Sequence, residues 1–144
     1  MSRRTEDLHP KLATMARQLV FDAYDAGVPI LITQTLRSMD EQATLYAKGR
    51  TAPGRVVTYA KPGHSWHNYG LAFDVAVLKD NKPTWDTKVD VNDNEVQDYL
   101  EVGLLGEKLG LTWGGRWTFV DLPHFQYTFG LKLNDVLNGT RPPV

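Results

Sequence analysis

The chain lacks cysteine, long apolar runs and a charge excess of either sign. Without cysteine, neither a disulfide framework nor a thiolate zinc cluster can form, so histidine and carboxylate side chains would have to bind any metal. The 16 Lys plus Arg residues against 17 Asp plus Glu residues give a formal charge of -1. Because no overall positive field exists to attract nucleic acid or an anionic membrane, we predict neither as a partner.

An uninterrupted apolar segment is also missing from the first twenty positions. Lys11, Arg17 and Gln18 interrupt the apolar residues there, so no secretory signal peptide is predicted. Nothing elsewhere approaches the roughly 20 apolar residues of a transmembrane helix. The chain does have 144 residues, 42% of them hydrophobic, which suffices for a core. We predict one domain over residues 1–144, without an appended binding domain, and a monomer.

The first half of the chain shows a helix, a strand and a second helix. Apolar residues at helical spacing predict a helix over residues 10–26, which begins at a proline and ends at Gly27. The β-branched segment 29–35 predicts a strand. Ser38 and Glu41 match a capping box, so a short helix should begin there and end before Gly49.

The second half begins with a loop over residues 50–64 and a nearly continuous apolar run over 71–78, which predicts a buried strand. A polar hairpin or loop over residues 79–88 should follow it. Asn92 or Asn94 is then predicted to cap a further helix that ends near Gly110. The remaining predicted elements are strands at 111–113 and 124–127, a turn at Gly114-Gly115 and one helical turn after Leu131.

The metal candidates are histidines and one buried carboxylate. His64 and His67 precede the apolar strand, Asp74 lies within it, and His124 follows the Gly-Gly turn. An isolated carboxylate in such a strand is costly unless it is paired or binds a metal. Two ligands around one strand and a third from a neighbouring strand would leave an open coordination position, as catalytic zinc requires. A surface role for the histidines and an arginine partner for Asp74 are the alternatives.

Residues 65–74 (Ser-Trp-His-Asn-Tyr-Gly-Leu-Ala-Phe-Asp) resemble the Ser-x-His-x-x-Gly-x-Ala-x-Asp signature of zinc D-alanyl-D-alanine carboxypeptidases and L-alanyl-D-glutamate endopeptidases. Residues 113–115 and 121–125 resemble the second motif of that family, in which an acid precedes a histidine by three positions. The order of His9-Pro10, the segment 35–38 and Gln42 also agrees with the family. The resemblance extends to about Tyr127.

This resemblance implies an α+β fold in which helices flank a small antiparallel sheet that carries the zinc site. Zn²⁺ would be bound by His67, Asp74 and His124, and the family pattern favours His67 over His64. Asp121 would be the catalytic acid-base and Arg37 would steady the scissile carbonyl, with a structural salt bridge as the alternative role for Arg37. Ser65 would hydrogen-bond the substrate or shape the loop.

The acid at position 121 separates the activities within the family. Carboxypeptidases and dipeptidases typically have Glu there, whereas the L-alanyl-D-glutamate endopeptidases of phage lysins and some bacterial wall hydrolases have Asp, as here. The resemblance thus implies a zinc endopeptidase that cuts the stem peptide of peptidoglycan. We expect a phage endolysin, made in the host cytoplasm and acting on the cell wall after release. A D-Ala-D-Ala carboxypeptidase or dipeptidase and a non-catalytic zinc-binding module are the alternatives.

Overall fold

A computed structural model describes all 144 residues and has four α-helices, five strands and three short 3-10 turns. The helices are α1 (Pro10–Asp25), α2 (Met39–Ala47), α3 (Asp98–Lys108) and α4 (Leu133–Leu137). The strands are β1 (Ile30–Gln34), β2 (Ala72–Lys79), β3 (Lys82–Thr84), β4 (Thr112–Trp113) and β5 (His124–Gln126), and the 3-10 turns are Thr5–Asp7, Trp66–Tyr69 and Gly114–Arg116. The predicted α+β class is confirmed. None of the helices combines the length and apolar character that a membrane crossing requires.

The strands form one antiparallel sheet in the order β1-β2-β5-β4, and β3 pairs with the second half of β2. The central strand β2 therefore has neighbours on both edges, which accounts for its apolar sequence. The predicted hairpin after this strand is confirmed, because β2 and β3 are joined by the tight turn Asp80-Asn81, where both residues have positive φ.

Side chains alternate between the two faces of β2, and this alternation separates the core from the site. Phe73, Val75 and Val77 are fully buried in the core cluster that α1 and α3 complete. Because the side-chain period of a strand is two, Asp74 projects from the opposite face. One face of β2 thus packs in the core, while the Asp74 carboxylate on the other face remains able to bind a ligand or react.

The predicted starts of the first two helices are confirmed. Pro10 is the first residue of α1, and Ser38 and Glu41 form the capping box of α2. The predicted cap of the third helix is wrong, because α3 begins only after Gln97 and has no side-chain cap. The amide groups of Asn92 and Asn94 instead donate to the carboxylate of Glu101, and both residues precede Gln97, which occupies the N-cap position.

Candidate metal centre

Strand register brings together two members of the candidate metal centre that are 50 positions apart in the chain. Asp74 and His124 are directly opposite each other on β2 and β5, with Asp74 Oδ1 3.0 Å from His124 Nδ1. On the core side, the neighbouring pair Phe73 and Phe125 stacks at 5.5 Å between ring centroids. A shift of the β2–β5 register by one residue would exchange the two faces of the strands. Burial of Phe73 and Phe125 therefore also fixes the pairing of Asp74 with His124.

His67 reaches the same point from the 3-10 turn that precedes β2. Ser65 Oγ accepts from the His67 backbone N–H, and Gly70 ends the turn in the left-handed region at φ +69°. A Cβ atom on Gly70 would also lie 3.2 Å from a carbonyl oxygen of the N-terminal segment. The sharp entry into β2 places His67 Nε2 3.2 Å from Asp74 Oδ1.

Two carbonyl oxygens fix the orientation of both imidazole rings. His67 Nδ1 is 2.8 Å from the backbone oxygen of Thr35, and His124 Nε2 is 2.8 Å from Gln126 Oε1. Because a carbonyl oxygen only accepts, each of these nitrogens must carry the proton. The other nitrogen of each ring faces Asp74, which is the arrangement found around metal-binding histidines.

The donor set therefore fits a divalent metal. One ligand atom each from His67, Asp74 and His124 lies within 4.8 Å of the others, and both rings are buried. Burial pulls the pKa of His124 down, but its hydrogen bond to Asp74 and the Asp74 charge outweigh burial and raise the pKa overall. Burial likewise opposes ionisation of Asp74, whereas hydrogen bonds to the two rings lower its pKa below the usual range. The site therefore keeps its carboxylate ionised between two imidazole nitrogens, which bind a cation when they are unprotonated.

Asp121 lies beside this group without belonging to it. Its Oδ2 is 4.0 Å from His124 Nδ1, and 51% of its side chain is accessible. Gly114 permits this approach, because a Cβ atom there would lie 2.4 Å from the Asp121 backbone oxygen. Partial burial raises the pKa of Asp121 and the charge of Asp74 adds to the effect, while the two histidines and Arg37 oppose it.

Arg37 is a buried cation whose direct partners are neutral. Its Nη1 donates to Gln42 Oε1 at 2.9 Å, its Nη2 donates to Gln34 Oε1, and its Nε has no partner. Burial lowers its pKa, and the charges of Asp74, Glu41 and Asp121 oppose that shift. Arginine keeps its proton in proteins. None of the protein's ion pairs involves Arg37, so the alternative role in a structural salt bridge is not seen.

Ser65 and His64 do not belong to the metal group, which consists of His67, Asp74 and His124. Ser65 caps the 3-10 turn together with Asn68, which is a structural role, and it also lines the cavity. His64 is exposed on the cavity wall and is not among the residues that converge on Asp74.

Two cavities meet at Asp74 and Asp121, beside the metal group formed by His67, Asp74 and His124. One cavity of about 580 Å³ contains the three metal-group residues together with Arg37, Trp66, Trp117, Tyr59 and Phe119. A second cavity of about 390 Å³ shares Gln34, Asp74 and Asp121 with the first and extends to Arg3, Leu31 and Trp85. An extended ligand could therefore pass across Asp74 and Asp121.

Aromatic side chains form the outer wall of the larger cavity. Tyr59 and Phe119 come from two different loops, are 83% and 84% exposed, and have ring centroids 6.4 Å apart. The Trp117 ring is 5.1 Å from that of His124. Trp113, in contrast, belongs to the core.

The chain is similar in sequence to known proteins. A peptidase M15 family model, described as D-alanyl-D-alanine carboxypeptidase, matches residues 58–127. The peptidoglycan L-alanyl-D-glutamate endopeptidase CwlK of Bacillus subtilis is 45% identical over 122 residues, which cover 83% of this chain and 73% of that protein. The chain belongs to the M15 peptidase family. Within the matched segment of this M15 peptidase lie all three members of the metal group, Ser65 and Asp121, whereas Arg37 lies outside it.

Two further proteins are similar to this M15 peptidase. The L-alanyl-D-glutamate peptidase of Listeria phage A118 is 28% identical over 115 residues, and the match covers 79% of this chain but 36% of the phage protein. The crystal structure of the Serratia marcescens L-Ala D-Glu endopeptidase ChiX has the same fold, with a TM-score of 0.63 and 23% identity. That match covers 87% of this chain and 84% of ChiX.

Sequence reasoning missed the residues that orient the site. Thr35 and Gln126 hold the two imidazole rings, and Gln34 holds the Arg37 guanidinium. The position of Gln126 beside His124 could have been predicted, since it is two positions after His124 on a strand and must share its face. Thr35 acts through its backbone, so its side-chain type gave no indication.

Proposed function

We propose that this M15 peptidase is a zinc-dependent L-alanyl-D-glutamate endopeptidase that hydrolyses the stem peptide of peptidoglycan. The observation that carries the proposal is the convergence of His67, Asp74 and His124 at the place where two cavities share Asp74 and Asp121 in their walls. An endopeptidase must accept a chain that extends in both directions, whereas a carboxypeptidase needs space for only one short end. The similarity to CwlK and to the phage peptidase supports the same substrate.

Zinc suits the proposed ligand set, which offers two imidazole nitrogens and one carboxylate oxygen and leaves a side open to the cleft. When bound there, zinc would supply a Lewis acid that acidifies water and polarises a carbonyl group. Thr35 and Gln126 would keep each ring in the tautomer whose lone pair faces the ion.

Asp121 is proposed as the residue that moves protons. Its carboxylate is close to the metal group without being part of it, and it is accessible from both cavities. It would accept a proton from the attacking water at a carboxylate oxygen and donate that proton to the nitrogen of the leaving amine. A pKa raised by partial burial makes the carboxylate a better base than a fully hydrated aspartate.

Arg37 is proposed to offset the negative charge that develops on the scissile carbonyl oxygen. Gln34 and Gln42 hold its guanidinium in place without neutralising it, so the charge remains available to the substrate. Ser65 is proposed as a substrate contact, since its hydroxyl accepts one backbone N–H and keeps its own proton for donation into the cleft.

Digestion of purified peptidoglycan tests the proposal. Mass spectrometry of the products should show new amino termini on D-glutamate, and a zinc chelator should abolish their release until zinc is restored. Loss of terminal D-alanine instead would identify a carboxypeptidase, and binding of peptidoglycan without any hydrolysis would identify a non-catalytic module.

A further inference from the structure

The segment between β3 and α3 contains a second constellation of oxygen ligands, far along the chain from the metal group. Residues 90–101 read Asp-Val-Asn-Asp-Asn-Glu-Val-Gln-Asp-Tyr-Leu-Glu. Calcium loops of the EF-hand type place side-chain oxygens at positions 1, 3, 5 and 9, a backbone carbonyl at 7 and a bidentate glutamate at 12. With Asp90 at position 1, Asn92, Asn94, Asp98 and Glu101 occupy positions 3, 5, 9 and 12.

Three of these side chains contact one another in the structure, and a fourth closes the loop through the backbone. Asn92 Nδ2 is 3.3 and 3.4 Å from the two carboxylate oxygens of Glu101, and Asn94 Nδ2 is 2.8 Å from one of them. Asp90 closes the loop, since its carboxylate accepts from the backbone N–H groups of Asn94 at 3.2 Å and Glu95 at 2.9 Å. The amide groups of Asn92 and Asn94 thus lie next to the Glu101 carboxylate, at the place that a bound cation would occupy.

Two buried oxygens of the loop have no partner. Asp98 is fully buried, and while its Oδ2 accepts from the Val91 backbone N–H at 2.8 Å, its Oδ1 is unpaired. Asn92 Oδ1 is also buried without a partner. An unpaired buried carboxylate oxygen is costly, and a cation would satisfy it.

The charge of the loop is not compensated by basic side chains. Asp90, Asp98 and Glu101 take part in none of the protein's ion pairs. Burial raises the pKa of Asp98, and the charges of Asp90 and Glu101 add to that effect. A buried carboxylate that lies near two further negative charges is in an environment that a divalent cation would stabilise.

The loop departs from the calcium motif at position 6, where glycine is normally required. Glu95 occupies this position and adopts the left-handed conformation at φ +65° that glycine would favour. This conformation costs a non-glycine residue about 1 kcal/mol or more. The left-handed turn is therefore formed although this position is not glycine.

We propose that residues 90–101 bind one calcium ion, through the side chains of Asp90, Asn92, Asn94 and Glu101, the Val96 carbonyl, and Asp98 directly or through water. Carboxylate, amide and carbonyl oxygens without nitrogen or sulfur select a hard cation, and their flexible number suits calcium better than magnesium. Binding requires the amide groups of Asn92 and Asn94 to turn their oxygens toward the ion.

Calcium at this loop would stabilise the start of α3 and its attachment to the sheet. Tyr99 follows Asp98 directly, and its hydroxyl donates to the Thr84 carbonyl at 2.5 Å and accepts from the Val77 N–H at 3.2 Å. Trp85, next to Thr84, lines the space beside Asp121. The expected readout is therefore calcium-dependent stability of the whole chain, and it does not depend on the proposed hydrolytic activity.

The test uses the full chain loaded with zinc and freed of other divalent ions. Calcium chloride is titrated by calorimetry, terbium luminescence sensitised by Tyr99 is competed with calcium, and the melting temperature is compared in calcium and in magnesium. Glu101→Gln and Asp90→Asn remove proposed ligands. Asp93→Asn is the matched control, because it removes the same charge from an exposed, non-ligating position of the same loop.

The expected result is one calcium per chain, with a melting temperature that rises in calcium more than in magnesium. Glu101→Gln and Asp90→Asn should weaken calcium binding at least about tenfold, whereas Asp93→Asn should retain it. Absence of calcium binding by the unmodified chain would overturn the proposal. So would an equal loss in Asp93→Asn, which would indicate general charge attraction, or full binding by both ligand variants.

Discussion

Replacement of Asp121 by asparagine separates proton transfer from metal binding. Asp121→Asn keeps the size and shape of the side chain but removes the basic carboxylate. The two hydrogen bonds of this residue, from its N–H to Gly114 and to its carbonyl from His124, belong to the backbone and remain. We expect unchanged zinc content and a large loss of hydrolysis.

The magnitude of each effect follows from the structure. The Asp121 side chain makes no hydrogen bond and is half accessible, so the free energy of unfolding should change by no more than about 0.5 kcal/mol. A general acid-base group contributes about 10²- to 10⁴-fold to the rate. This range corresponds to about 2.7 to 5.4 kcal/mol of transition-state stabilisation, which far exceeds the effect on folding.

The assay measures kcat and KM on soluble muropeptides, zinc by metal analysis, and folding by thermal unfolding. Asp121→Glu is the companion variant, since it keeps the carboxylate but moves it by one methylene; low but measurable cleavage of the same bond is expected. Loss of zinc from Asp121→Asn would make Asp121 a ligand. Hydrolysis by Asp121→Asn at the unmodified rate would refute its catalytic role.

Three further predictions concern the ligands, the buried cation and the cleft wall. His67→Ala should lose tightly bound zinc, whereas His64→Ala should keep a full equivalent; metal analysis that gives the reverse would refute the ligand assignment. Arg37→Ala should lower kcat by about 10²- to 10³-fold and change KM less, as expected for a contact that strengthens in the transition state; a change in KM alone would indicate ground-state binding. Phe119→Ala should raise KM about 2- to 10-fold with no change in melting temperature, whereas Phe21→Ala, also exposed but on α1, should leave both unchanged. Equal effects of the two Phe variants would remove Phe119 from the binding surface.

Local sequence patterns were sufficient to predict structure where the interactions that determine that structure are also local. A proline at the first helical position and a serine that caps its own helix act within one turn, and both starts are where the sequence predicts them. The period of two along β2 is likewise a local property of the strand, and it puts Asp74 on the face opposite Phe73. The error at Asn92 and Asn94 arose because the same side chains can cap a helix or, as here, donate to a carboxylate in its first turn, which is nine and seven positions further along the chain.

By itself, the sequence determined the chemistry available to this protein. Without cysteine, a metal had to be bound by histidine and carboxylate, and the spacing of His67 and Asp74 around an apolar strand made them candidates. Only the tertiary structure decided which atoms face the metal and what holds them there. Thr35, Gln126 and the pairing of Asp74 with His124 come from distant parts of the chain, and the antiparallel register of buried strands, fixed by the packing of their apolar faces, brings them together.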